Sequence, residues 1–203
     1  MTTTTVSPAP VAVATARSTA APQDRRITRS KRALSDALIE LMEERSFDGF
    51  SVNDLCERAD LNRGTFYNHF RDKDDLLAQL EAEVMDDLDR LQAQMQNLTV
   101  RALLGYRARK KPLPLLVELF DYLREQGAFL HAALGPGGDV GFGPRLRDSV
   151  CTNLVQSILH ERYRNDPSPF VGYYVAFFAS AYLGVITRWI ETGMQESSEE
   201  MAL

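Results

Sequence analysis

Cysteine is scarce in these 203 residues: Cys56 and Cys151 are the only two, far apart, which excludes a disulfide scaffold and a four-cysteine zinc module. His131, His160 and Cys151 sit in no tight ligand spacing, so neither a metal site nor a cofactor is expected. No apolar run approaches the ~18 residues of a membrane span, so no membrane partner is expected. Sustained period-2 alternation between hairpin turns is missing, which argues against a sheet. No glycine-rich phosphate loop follows a strand, and neither H-E-x-x-H nor G-x-S-x-G occurs, so the chain does not read as an enzyme. Proline is absent between residues 25 and 111, which favours long helices there.

The net charge of −5 excludes a generally basic coat for nucleic acid but leaves room for a local basic face. The charge is in fact uneven. Residues 25–32 (RRITRSKR) carry five positive charges and no acid, residues 61–71 (LNRGTFYNHFR) carry two and no acid, and the excess of acid lies beyond residue 73. A polyanion would meet this protein at those two segments. Residues 1–23 are a low-complexity mix of Thr, Ala, Pro, Ser and Val and read as a disordered tail. They lack the basic start and apolar stretch of a secretory signal, so a cytoplasmic location is expected.

Helical periodicity runs through the rest. Leu34, Leu38, Leu41 and Met42 share one face of a helix over 28–45, with Phe47 and Phe50 as further core candidates. Ser51 and Asp54 form a capping-box pattern that opens a short helix over about 52–59. Asn62 can cap another over 63–69, and Asp72 a long one over 73–96 with Leu76, Leu80, Val84, Leu88, Leu91 and Met95 in one stripe. Further helices are expected over 99–109, 114–126, 127–134, 144–163 and 169–192, with a flexible loop at 135–143. The sum is an all-α chain of about nine helices: a tail over 1–24, a small helical unit over 25–73 and a larger helical domain over 74–203.

Two short helices separated by Asp60, Leu61 and Asn62 make a helix-turn-helix, with Phe66 and Phe70 among its apolar anchors. The second helix offers Arg63, Thr65, Tyr67, Asn68 and His69, all hydrogen-bonding and none acidic, and Gly64 removes side-chain bulk at its first turn. Such groups at the start of a second helix suit the major groove of DNA.

The stretch D-L-C-E-R-A-D-L-N-R-G-T-F-Y-N-H-F-R-D-K-D-D-L-L, residues 54–77, closely resembles the DNA-binding signature of TetR/AcrR-type bacterial transcriptional regulators. Asp60 stands where that signature usually has glycine, and Asp tolerates left-handed backbone angles. Asn62 stands where serine is more common, and either caps a helix. The resemblance implies phosphate contacts from Ser51, Thr65, Tyr67, His69 and Lys73, with Gly64 and Phe66 inside the same DNA-binding run. Arg63 and Asn68 lie where base readers vary, and Arg25, Arg26, Arg29 and Lys31 could follow the adjacent groove or backbone.

The resemblance further implies a homodimer paired through 144–163 and 169–192, a palindromic double-stranded operator and a small-molecule inducer that releases it. Phe177, Tyr182 and Trp189 are the candidate anchors of the dimer. Tyr106, Phe120, Phe129, Tyr174 and Phe178 are the candidate lining of the inducer cavity. The expected function is a repressor; the alternative is an activator or co-activator acting through a protein partner.

Overall fold

The computed structural model describes residues 22–95, 105–106, 109, 111–149 and 169–203. The tail up to residue 21, most of the helix expected over 99–109 and the stretch 150–168, with Cys151 and His160, lie outside the described residues. No strand occurs among the described residues. None of their helices is long and apolar enough to cross a membrane.

Helix α1, Pro22–Arg45, begins six residues before the expected start. Residues 22–27 carry no apolar periodicity, but neither glycine nor proline interrupts the stretch that follows Pro22. The Thr28 hydroxyl bonds back to the Asp24 carbonyl at 2.9 Å, one turn earlier. The basic segment 25–32 is therefore helical, and Pro22–Asp24 belong to α1 rather than to the tail. A 3-10 turn at Phe47–Gly49 follows, then α2 at Val52–Arg58, α3 at Arg63–Tyr67 and α4 at Lys73–Met95. The stripe expected along α4 is confirmed at Leu76, Val84 and Leu88, which are buried, while the Met95 side chain lies outside the described residues.

In the C-terminal half, α5 (Pro114–Glu125) has Pro at its first turn, where the missing N–H costs no hydrogen bond. It is followed by α6 (Gly127–Leu134), a helix over 142–149 (α7), α8 (Pro169–Glu191) and α9 (Ser198–Met201). The short α9 was not expected. A capping box between Ser197 and Glu200 starts it, and it packs on α5.

One apolar core runs through both halves. Leu34, Leu38, Leu41, Leu55 and Phe66 join Phe120, Phe129, Leu130, Phe142 and Trp189 in a continuous buried cluster. Trp189 is 3% exposed: its ring meets Phe120 edge-on at 5.5 Å and its Nε1 donates to the Glu196 carbonyl at 3.2 Å. Arg124 covers the other side at 5.1 Å and donates to the Met194 and Glu196 carbonyls. Trp189 is thus a pillar of its own protomer, which removes it from the candidate dimer anchors.

Polar ties cross the same boundary. His131 of α6 meets Glu43 of α1 at 2.5 Å, and the Phe47 amide donates to the Gly137 carbonyl at 2.8 Å. A Cβ at Gly137 would stand 2.8 Å from the Ser46 hydroxyl oxygen, so only glycine fits this approach. Ser46 itself holds φ 63 and ψ 161, a region that side-chain-bearing residues avoid. Its side chain makes no capping hydrogen bond to the 3-10 turn. Ser46→Gly should therefore raise stability by about 1 kcal/mol, the relieved strain exceeding glycine's entropy cost. A urea melt checks this; a loss of stability would show that Ser46 is not strained.

Candidate nucleic-acid interface

The capping box at α2 forms as its residues require. Ser51 Oγ accepts from the Asp54 amide at 3.3 Å, and the Ser51 amide donates to Asp54 Oδ2 at 2.8 Å. The Ser51 hydroxyl also donates to that carboxylate at 2.5 Å. These bonds hold the Asp54 carboxyl below its usual range. Arg58, at the other end of α2, ties it to α1 through Glu44 at 2.7 Å and Glu40 at 3.0 Å, which hold the guanidinium firmly protonated.

The turn to α3 depends on Asp60, whose φ of 53 is the left-handed geometry usually given to glycine. The Leu61 amide then closes on the Cys56 carbonyl at 2.9 Å. Asn62 caps α3, its Oδ1 accepting from the Thr65 amide at 2.8 Å and from the Thr65 hydroxyl at 3.1 Å. The helix ends at Tyr67, two residues before the expected end. A Cβ at Gly64 would stand 3.2 Å from Asn62 Oδ1, so glycine there also spares the cap.

Five residues close few intrahelical bonds, and α3 is held by what it buries. Phe66 is 0% exposed and packs on Phe70 at 5.7 Å. Burying one such ring contributes about 2–3 kcal/mol. Phe66 therefore has no surface to offer a duplex, and its place among the DNA-binding residues is corrected to that of an anchor. With Phe66 inward, Arg63, Gly64, Tyr67 and Asn68 are exposed, while Thr65 and His69 are half-buried. Arg63 lies over the Tyr67 ring at 5.8 Å and reaches its hydroxyl at 3.4 Å, so the two side chains present one joint face.

Lys73 is differently placed. Its Nζ donates to the Phe47 carbonyl at 2.6 Å and the Phe50 carbonyl at 3.1 Å, and lies over both rings at 4.5 and 5.0 Å. Its ammonium pins the start of α4 to the link between α1 and α2, and one of its three N–H groups is left over. Arg25, Arg26 and Arg29 are exposed on the first turns of α1. Lys31 lies over the Phe70 ring at 5.6 Å, behind α3.

The candidate effector residues differ in their surroundings. Phe120 and Phe129 are core, packed on Trp189 and Phe142; Tyr106 is half-buried and Phe178 exposed. The Tyr174 side chain lies outside the described residues. No cluster of three metal-ligating side chains occurs among the described residues.

The geometry separates a structural lysine from an exposed arginine. Lys73→Met should cost about 1–3 kcal/mol of stability, since two charge-assisted hydrogen bonds are lost. Arg63→Ala should stay within about 0.5 kcal/mol of the wild type. Urea denaturation of the two variants distinguishes them, and an undiminished midpoint for Lys73→Met would refute the clamp.

Residues 34–80 match the family model described as bacterial regulatory proteins, tetR family, and residues 110–203 match one described as transcriptional regulator C-terminal region. The HTH-type transcriptional regulator YxbF of Bacillus subtilis (strain 168) is 31% identical over 70 residues, which is 32% of this chain and 18% of that protein. A TetR transcriptional regulator from Streptococcus agalactiae 2603V is similar in structure, at 22% identity and a TM-score of 0.56, over 88% of this chain and 92% of that one. FadR of Bacillus subtilis, solved in complex with stearoyl-CoA, is similar at 14% identity and a TM-score of 0.55, over 84% of this chain and 92% of that one. With a matching family model on each half and a helix-turn-helix formed as its motif requires, the chain belongs to the TetR family of DNA-binding transcriptional regulators.

Proposed function

We propose that this regulator is a homodimer that represses transcription from a palindromic duplex and leaves it when a small molecule enters the C-terminal half. The observation that carries the reading is the outer face of α3, where Arg63, Tyr67 and Asn68 stand exposed with no acid among them. In this reading Arg63 donates to guanine and Asn68 to adenine in the major groove. Tyr67, His69, Thr65 and Ser51 meet phosphate, as does the free N–H of Lys73. Arg25, Arg26 and Arg29 extend the basic surface along α1.

Pairing is supported by α8. Its inner face buries Ala179, Ile186, Trp189 and Ile190, while Phe170, Tyr173 and Phe177 are 62%, 75% and 66% exposed at helical spacing. Large aromatics exposed in a row mark an interface rather than a solvated surface. A two-fold partner there would set two α3 helices about 34–36 Å apart, the spacing of successive major grooves on one side of a duplex. Tyr182 is half-buried, and its hydroxyl proton is held more tightly by that burial. For the small molecule, a cavity of about 490 Å³ between α1, α4 and α5, with Phe129 and Tyr122 in its wall, is the available space.

Phe177→Asp tests the reading. The side chain is exposed within the protomer, so the fold should survive while the dimer fails. Sedimentation should give a folded monomer, and the variant should lose roughly tenfold or more in affinity for a palindrome relative to wild type, since two linked contacts become one. A Phe177→Asp dimer that still holds the palindrome would place the interface elsewhere.

A further inference from the structure

Phe47, in the link between α1 and α2, is held from two sides. Its amide donates to the Gly137 carbonyl at 2.8 Å, and its own carbonyl accepts from Lys73 Nζ at 2.6 Å. The 135–141 loop of the C-terminal half thus holds one end of this residue and the start of α4 the other.

The loop comes this close because residue 137 has no side chain. A Cβ there would stand 2.8 Å from Ser46 Oγ, 2.9 Å from its Cβ and 3.0 Å from its Cα. The hydroxyl can rotate away, but the Cβ and Cα cannot. A methyl group at 137 therefore pushes the loop and the link apart.

Ser46 marks the link as held rather than at rest. Its φ of 63 and ψ of 161 form a conformation that persists only where its surroundings fix it. Its amide closes α1 on the Met42 carbonyl at 3.0 Å, and the next amide is the one that Gly137 takes. Just before it, Glu43 meets His131 of α6.

The helix-turn-helix begins where the link ends. Phe50 is buried, and its carbonyl also accepts from Lys73, at 3.1 Å. The next residue, Ser51, caps α2, and α2 carries α3 through the Asp60 turn and the Leu61–Cys56 bond. Displacing the link therefore displaces the cap of α2 and, with it, the helix that presents Arg63, Tyr67 and Asn68.

We propose that Gly137 is a positioning residue for DNA binding: by its carbonyl and its missing side chain it sets the link, and the link sets α2 and α3. The proposal rests on α3 being the face that meets DNA.

Full-length Gly137→Ala, Ser46→Gly and the double variant test it, with a duplex that wild-type protein selects from a random pool as the probe. Gly137→Ala should keep its circular dichroism and sedimentation but bind that duplex about tenfold more weakly. Ser46→Gly keeps the Phe47 bond and should bind as wild type. The double variant removes the Oγ and Cβ that the new methyl meets, and should return to within about threefold of wild type. Gly143→Ala, whose Cβ would meet only Leu134 at 3.6 Å, should bind as wild type.

Hydrogen exchange reads the link without DNA. Peptides over 46–66 should exchange several-fold faster in Gly137→Ala and slow again in the double variant, with 114–125 unchanged. The proposal is overturned if Gly137→Ala binds and exchanges as wild type, or if the double variant is no better than Gly137→Ala. Loss of fold in Gly137→Ala would make the glycine structural only and overturn it too. A wild type that selects no duplex overturns the reading of α3 itself, whereas equal binding by wild type and Gly137→Ala overturns the positioning role alone.

Discussion

A helix of five residues cannot hold its own shape in water, and α3 exists because Phe66 is fully buried beneath it. Everything on the outer side of that helix follows from this one contact. With Phe66 fixed inward against Phe70, helical geometry turns Arg63, Tyr67 and Asn68 outward, and the Asn62 cap sets where the helix begins. Loss of the ring would cost about 3–5 kcal/mol and with it the orientation of the exposed face. The exposed face of α3 is thus built from the core outward.

Three further ties keep this small unit in place. Arg58 binds α2 to α1 through two glutamates, and Lys73 binds the start of α4 to the carbonyls of Phe47 and Phe50. The Gly137 carbonyl receives the Phe47 amide, so the loop before α7 touches the same link. That link also holds Ser46 in a backbone conformation it would not choose. The connection between α1 and α2 is consequently where α4, the C-terminal loop and the helix-turn-helix meet. A few hydrogen bonds and a continuous apolar core join them there.

Much of this was legible in the residues. The capping pattern at Ser51, the tolerance of Asp60 for left-handed angles and the cap at Asn62 are local properties, and each stands in the structure as its chemistry dictates. What the residues could not tell is where long-range partners lie. Lys73 resembles a phosphate contact because of its neighbours in the chain, yet its carbonyl partners are 26 and 23 residues away. Phe66 belongs to a DNA-binding run, but burial separates it from its exposed neighbours. An aromatic helix such as α8 needs partners on several sides, and only packing reveals that Trp189 faces its own core while Phe177 does not. The early start of α1 had no apolar signal, and the Ser197–Glu200 cap opens a helix of only four residues, too short to carry a periodicity.

The face of α3 is tested most directly by selecting duplexes from a random pool with wild-type protein, Arg63→Ala and Asn68→Ala. If these side chains read bases, wild type should return a palindromic motif. Each variant should then relax one symmetric pair of positions, at a cost of about 1–3 kcal/mol against the preferred base. The same motif from all three proteins, with equal preference at every position, would contradict the assignment of base recognition to this helix.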